Sequence, residues 1–246
     1  MITGAWGGLG RNLVKAFQQA GAYLVTVDHG SASAGASAFP ATGAPSEKIS
    51  NFEANLSCPG EIYALFEKIW RDVEKVDILI NNAGISPKIN GKSLPIDELS
   101  LDVWNNVLSV NLTAPFLTSK LVLPQMKIAK WGRIINMSSV AGRTMSTVAG
   151  SPYAASKAGL IGFTRQLASE VGKFGITANC IAPGRIITPM INTMAPSVNQ
   201  EYLSRIPVNR LGIPSDITNT ALFLASQHSS FLTGTTIDVN GGSFMN

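Results

Sequence analysis

The chain has 246 residues, 45% of them hydrophobic and 14% charged, with a formal net charge of +4. That balance excludes a disordered chain, and the 19 basic residues form no Lys/Arg run, which argues against a nucleic-acid partner. No stretch of about 20 apolar residues predicts a membrane span, and the N-terminus lacks a signal-peptide pattern. Two cysteines, Cys58 and Cys180, and two distant histidines, His29 and His228, give no disulfide framework and no metal-ligand spacing. The expectation is a cytoplasmic protein in a reducing setting, with no metal and no membrane.

In chain order, Met1-Ile2 leads directly into a glycine-rich turn, Thr3–Gly10, and then a helix over Leu9–Ala20. A strand follows at Tyr23–Asp28. Residues 30–46 are small, nearly uncharged and interrupted by proline, and read as a flexible loop. The pattern then alternates: helix Gly60–Val73, strand Val76–Asn81, helix Asp102–Lys127, strand Gly132–Ser138, helix Tyr153–Val171, strand Thr177–Ala182, helix Ser215–Ser226 and strand Thr235–Val239. The strand candidates are Val/Ile/Leu-rich, as strands buried on both faces are. Unbroken βα alternation predicts one α/β domain over residues 1–246, a parallel sheet with helices on both faces.

The turn carries Gly4, Gly7, Gly8 and Gly10 just before a helix. It lacks the G-x-G-x-x-G spacing and has G-x-x-x-G-x-G instead. Glycines there permit tight turning and close backbone approach, while helix-start N–H groups suit a pyrophosphate. Taken alone, the segment is equally a glycine-rich turn. Asp28 closes the next strand, where a carboxylate can accept hydrogen bonds from an adenosine ribose diol and repel a 2′-phosphate. No Lys or Arg stands at 5–9 or 29–47 to compensate, so NAD is expected over NADP. The plainer alternative is an Asp ending a strand at a turn.

Tyr153 stands four residues before Lys157, one helical turn apart on the same face. A free phenol has a pKa of about 10 and is a poor base at neutral pH. A close, partly desolvated ammonium favours the phenolate, and a shift of about three units needs about 4 kcal/mol. The pair alone is a weak motif. Asn111 alone reads as an amide satisfied within a helix, and either Ser138 or Ser139 could cap the turn after its strand.

Together these residues resemble the short-chain dehydrogenase/reductase family over nearly the whole chain. The resemblance rests on Thr3–Gly10, Asn81-Asn82-Ala83-Gly84, Asn111, Ser138-Ser139, Tyr153 with Lys157, and Pro183-Gly184-Arg185-Ile186-Ile187-Thr188-Pro189-Met190. It implies a doubly wound (Rossmann) sheet of about seven strands binding NAD. Tyr153 would be the general acid/base, Lys157 would lower its pKa and hold the nicotinamide ribose, and Ser139 rather than Ser138 would bind the reacting oxygen. Asn111 would hold a water linked to Lys157. Cofactor contacts would come from Gly4, Gly7, Gly8, Leu9, Gly10, Asp28, Asn55, Leu56, Asn82, Ala83, Gly84, Pro183, Gly184, Ile186 and Thr188, together with Tyr153 and Lys157. Asn82 would fix loops rather than do chemistry. The two long helices would pair across a two-fold axis, giving a homodimer or homotetramer.

Three departures stand out. Only Met1-Ile2 precedes Thr3-Gly4 where the family has five or six apolar residues; Trp6 replaces a smaller residue and would crowd or cover the phosphate end; and Asn55-Leu56 replaces an Asp-hydrophobic pair, leaving an amide to accept from adenine. The substrate would lie over Ser139 and Tyr153, bordered by Ser86–Lys88, Ala141–Val148 and a lid at about 190–210. Lys88, Arg143 and Arg185 are candidates to recognise a carboxylate or hydroxyls, or are surface charges. The leading expectation is an NAD-dependent dehydrogenase of a small polar secondary alcohol such as a polyol, sugar acid or hydroxy acid. The alternatives are an NADPH-dependent reductase of 3-oxoacyl thioesters and a non-catalytic dinucleotide-binding scaffold.

Overall fold

The computed structural model describes residues 1–30, 49–89, 91–188 and 202–246. The loop expected at 30–46 therefore lies outside the described residues apart from Gly30, as does the first part of the lid expected at 190–210. The strands are β1 (Ile2–Thr3), β2 (Leu24–Asp28), β3 (Ile49–Glu53), β4 (Ile78–Asn81), β5 (Gly132–Met137), β6 (Ile176–Pro183) and β7 (Thr236–Val239). They form one seven-stranded sheet in the order β3-β2-β1-β4-β5-β6-β7, with every pairing parallel. The chain reverses its winding between β1 and β4, and in such sheets ligands bind in the crevice outside the carboxyl ends at that point.

Period-two alternation assigns the strand residues to two cores. Val25, Leu79 and Ile134 face α2 (Pro59–Asp72), α4 (Ala114–Ala129) and α5 (Ser151–Val171). Their neighbours Leu24, Ile80 and Ile135 face α1 (Gly8–Gln19) and α6 (Pro214–Ala225). Burial on both faces explains the apolar runs that mark β4, β5 and β6 in the sequence.

Two strands escape that signal. β3, Ile-Ser-Asn-Phe-Glu, is an edge strand with a polar pattern, held by its ladder to β2 and by a 2.6 Å hydrogen bond from Thr26 Oγ1 to Asn51 Oδ1. β1 is two residues long although it is central, pairing Ile2 with both Thr26 and Ile80. Upstream of Ile2, between β2 and β4, is a cavity of about 510 Å³ walled by Phe17, Leu24, Val25, Val76, Ile78 and Trp131 among others. The Met1 ammonium donates to Ile78 O at 2.7 Å there, and burial pushes its pKa down to about 5.

The helix expected over Asp102–Lys127 is three pieces: α3 (Leu101–Leu108), one π turn at Ser109–Thr113, and α4. By length and composition the run Leu101–Ala129 could cross a membrane, but half of its most apolar window is buried within the fold. Its buried Ala114, Leu117, Val122 and Met126 belong to the α2/α4/α5 core.

Candidate active site

A groove of about 800 Å³ runs across the carboxyl ends of β1, β2, β4, β5 and β6. All seventeen residues expected to contact the cofactor line it, together with Ser139; Asn111 does not. Gly4 closes β1 with φ +62, and a side chain there would bring Cβ within 2.7 Å of Ala83 Cα. At Gly10 the Cβ would lie 1.9 Å from Gly4 O, so α1 reaches the turn only because this position is glycine. Asn82 locks the turn from the other side, donating through Nδ2 to Thr3 O at 3.1 Å and Gly4 O at 2.9 Å.

At one end, Asp28 accepts backbone N–H groups from Trp6 (Oδ2, 2.7 Å) and His29 (Oδ1, 2.8 Å). Each oxygen keeps a second lone pair for a diol. Among the described lining residues, Lys157 is the only Lys or Arg, and it belongs to the groove's other end. Trp6 is 5% exposed, belongs to the α1/α6 core and also lines the groove. Asn55 departs from expectation. Its Oδ1 accepts both Ser57 N (3.0 Å) and Ser57 Oγ (2.7 Å), which uses the acceptor expected to meet adenine for a local turn.

At the other end, α5 presents Tyr153 and Lys157 one turn apart, with Lys157 Nζ 5.5 Å from the phenol ring centre. The ammonium is buried and donates to Met137 O at 2.7 Å. Ser139 Oγ accepts Ala141 N–H at 3.1 Å and lies close enough to the Tyr153 hydroxyl to act on its pKa. Ser138 donates instead to the Lys157 carbonyl at 2.9 Å and ties β5 to α5.

Burial raises the Tyr153 pKa, against the lowering expected from Lys157, and the interaction with Ser139 partly opposes the rise. Lys157 is itself pushed down to about 8 by burial, opposed by the nearby Cys180 thiol. Cys180 is in turn raised to about 11, again chiefly by burial.

Asn111 sits in the π turn, fully buried. Its Oδ1 accepts Ile85 N–H at 2.8 Å, and its Nδ2 donates to Ile85 O at 3.0 Å and Ser156 Oγ at 3.1 Å. The side chain thus clamps the loop after β4 to α5, leaving one Oδ1 lone pair for the expected water. Gly84 keeps the space open: a Cβ there would lie 3.2 Å from Lys157 Nζ and 3.5 Å from Asn111 Oδ1. Pro183 and Gly184 end β6, and Ile186 is fixed by the Ile187 N to Gly212 O hydrogen bond at 2.8 Å, which sets Thr188 at the groove's edge.

Sequence reasoning missed Ser156, Asn106, Val110 and Met137. Asn106 and Val110 are one turn apart and both line the groove, a spacing the sequence does offer. Met137 contributes its carbonyl, which no side-chain pattern reports. Of the cationic candidates, Arg143 pairs with Asp238 at 3.1 Å and lies over Phe244, while Arg185 stacks on Tyr202; neither lines the groove.

A family model described as enoyl-(acyl carrier protein) reductase matches residues 4–243. The chain is 37% identical over 244 residues to the 3-oxoacyl-[acyl-carrier-protein] reductase of Aquifex aeolicus, covering 99% of this chain and 96% of that protein. It superposes on the crystal structure of a 3-oxoacyl-[acyl-carrier protein] reductase with bound NAD from Brucella melitensis with a TM-score of 0.88 and 38% identity, covering 100% of this chain and 90% of that one. A putative gluconate dehydrogenase from Agrobacterium tumefaciens gives a TM-score of 0.89 at 29% identity, covering 98% and 94%. With the sheet order, the groove and the Ser139, Tyr153 and Lys157 cluster in agreement, the chain belongs to the short-chain dehydrogenase/reductase family of oxidoreductases.

Proposed function

We propose that the protein is an NAD(H)-linked ketoreductase of 3-oxoacyl thioesters. The carrying observation is one groove with Ser139, Tyr153 and Lys157 at one end and Asp28, without a basic neighbour among the described lining residues, at the other. The glycine cradle and the acceptor oxygens of Asp28 suit a dinucleotide with a free ribose diol. NADH supplies the hydride, chemistry that belongs to the cofactor. Lys157 and Thr188 would hold its nicotinamide end and Asp28 its adenosine ribose.

Tyr153 is the proton donor to the ketone oxygen. Because burial raises its pKa, the phenol keeps its proton at neutral pH, which suits reduction. Ser139 donates to the same oxygen as charge develops on it. Asn111 is a positioning residue, fixing Ile85 and α5 around Lys157. The relatives' names support the thioester substrate, and the Brucella melitensis complex supports NAD. The 29% likeness to a putative gluconate dehydrogenase favours the second reading, oxidation of a polyol, sugar acid or hydroxy acid.

Assembly as a homodimer or homotetramer would cover Phe116 of α4, 45% exposed and edge-on to Phe163 of α5 at 6.2 Å. The setting is cytoplasmic and reducing, with Cys58 and Cys180 as thiols. Fluorescence titrations with NADH and NADPH test the cofactor assignment. NADH is expected to bind about tenfold more tightly or better, a difference of about 1.4 kcal/mol; equal or inverted affinities contradict it.

A further inference from the structure

Tyr153 borders two spaces. One is the dinucleotide-sized groove; the other is a pocket of about 80 Å³ that shares no other residue with the groove. The pocket is built from Pro87, Ile89 and Leu94, from Leu99 and Val103 around the start of α3, and from Pro152 at the start of α5. Ile89 and Lys92 exchange backbone hydrogen bonds at 2.9 and 3.0 Å, which folds the outer wall back on itself. Gly150 lets that wall close on α5, since a Cβ there would lie 3.3 Å from Ser93 Cβ. The polar members, Ser86, Lys88 and Ser93, leave the remaining walls aliphatic.

We propose that this pocket receives the alkyl arm of the substrate ketone and limits it to about three carbons, at about 30 Å³ for each water-sized group. The reacting carbon then sits at Tyr153, between the groove and the pocket. The aliphatic walls select a 3-oxoacyl group with a short saturated arm over a polyol, whose hydroxyls would lose hydration against Ile89, Leu94 and Val103. The inference rests on the reductase reading and deepens it by naming the acyl class.

The test is a series of 3-oxoacyl N-acetylcysteamine thioesters with saturated arms from one to seven carbons, followed by NADH oxidation. Each methylene up to the third is expected to raise kcat/KM about fourfold, from about 0.8 kcal/mol per buried methylene, and later ones are expected to add nothing or reduce it. Val103→Phe, which fills the pocket, should abolish the preference for the three-carbon arm over the one-carbon arm. A flat profile, a rise continuing to seven carbons, or an unchanged preference in Val103→Phe overturns the proposal. Calorimetric binding of the matching 3-hydroxyacyl thioesters separates the two claims. A three-carbon optimum in Kd without turnover supports the pocket and sinks the reductase reading alone, whereas a length-independent Kd sinks the pocket.

Discussion

The short strand β1 has a cavity at each end, and the two are opposites. At its carboxyl end the groove collects Gly4, Asp28, Ser139, Tyr153 and Lys157 from several elements, and the polar groups that frame it are engaged with one another. At its amino end the cavity is walled largely by aliphatic and aromatic side chains. Space alone does not make a site. Convergent donors and acceptors distinguish the groove, whereas the amino-end cavity is lined mainly by apolar side chains that cannot orient a ligand.

Lys157→Met should separate function from stability most sharply. Activity should fall about 100-fold or more, the scale of losing acid–base machinery. Thermal stability at neutral pH should nevertheless rise by about 2 kcal/mol, because a buried ammonium with a pKa of about 8 is removed, against the loss of its bond to Met137 and its contact with the Tyr153 ring. In the parent protein kcat/KM should decline as pH climbs through about 8, where Lys157 gives up its proton. A Lys157→Met protein less stable than the parent would show that the groove's polar cluster holds the fold together.

Asp28→Ser should narrow the preference for NADH over NADPH by about tenfold, roughly 1.4 kcal/mol, by removing both the diol acceptors and the repulsion of a 2′-phosphate. The smallest effect belongs to Asn55→Ala. It should cost about 1 kcal/mol of stability through the lost bonds to Ser57 and change NADH affinity little, since its acceptor is already used. A large loss of NADH affinity would restore Asn55 as an adenine contact.

The contrast also explains what was legible in the sequence. Apolar runs marked β4, β5 and β6 because both their faces are buried, whereas β3 is a half-exposed edge whose pattern is polar. Spacing put Tyr153 and Lys157 on one helical face, and the described geometry agrees. The direction of the Tyr153 shift was not legible, since it depends on how much water the folded walls exclude. Nor were the occupied acceptors of Asn55 and Asn111, whose meaning lies in partners such as Ser57, Ile85 and Ser156. The cavity upstream of Ile2 became visible only once β2 and β4 were seen to extend beyond the two residues between them.

The central claim is that Tyr153 donates the proton for NADH-linked reduction in the groove. The direct measurement is the NADH oxidation rate with a 3-oxoacyl thioester for the parent and for Tyr153→Phe, with NADH affinity checked in parallel. The account predicts a fall in kcat of about 100-fold to 10,000-fold with NADH still bound. Undiminished turnover in Tyr153→Phe would contradict it.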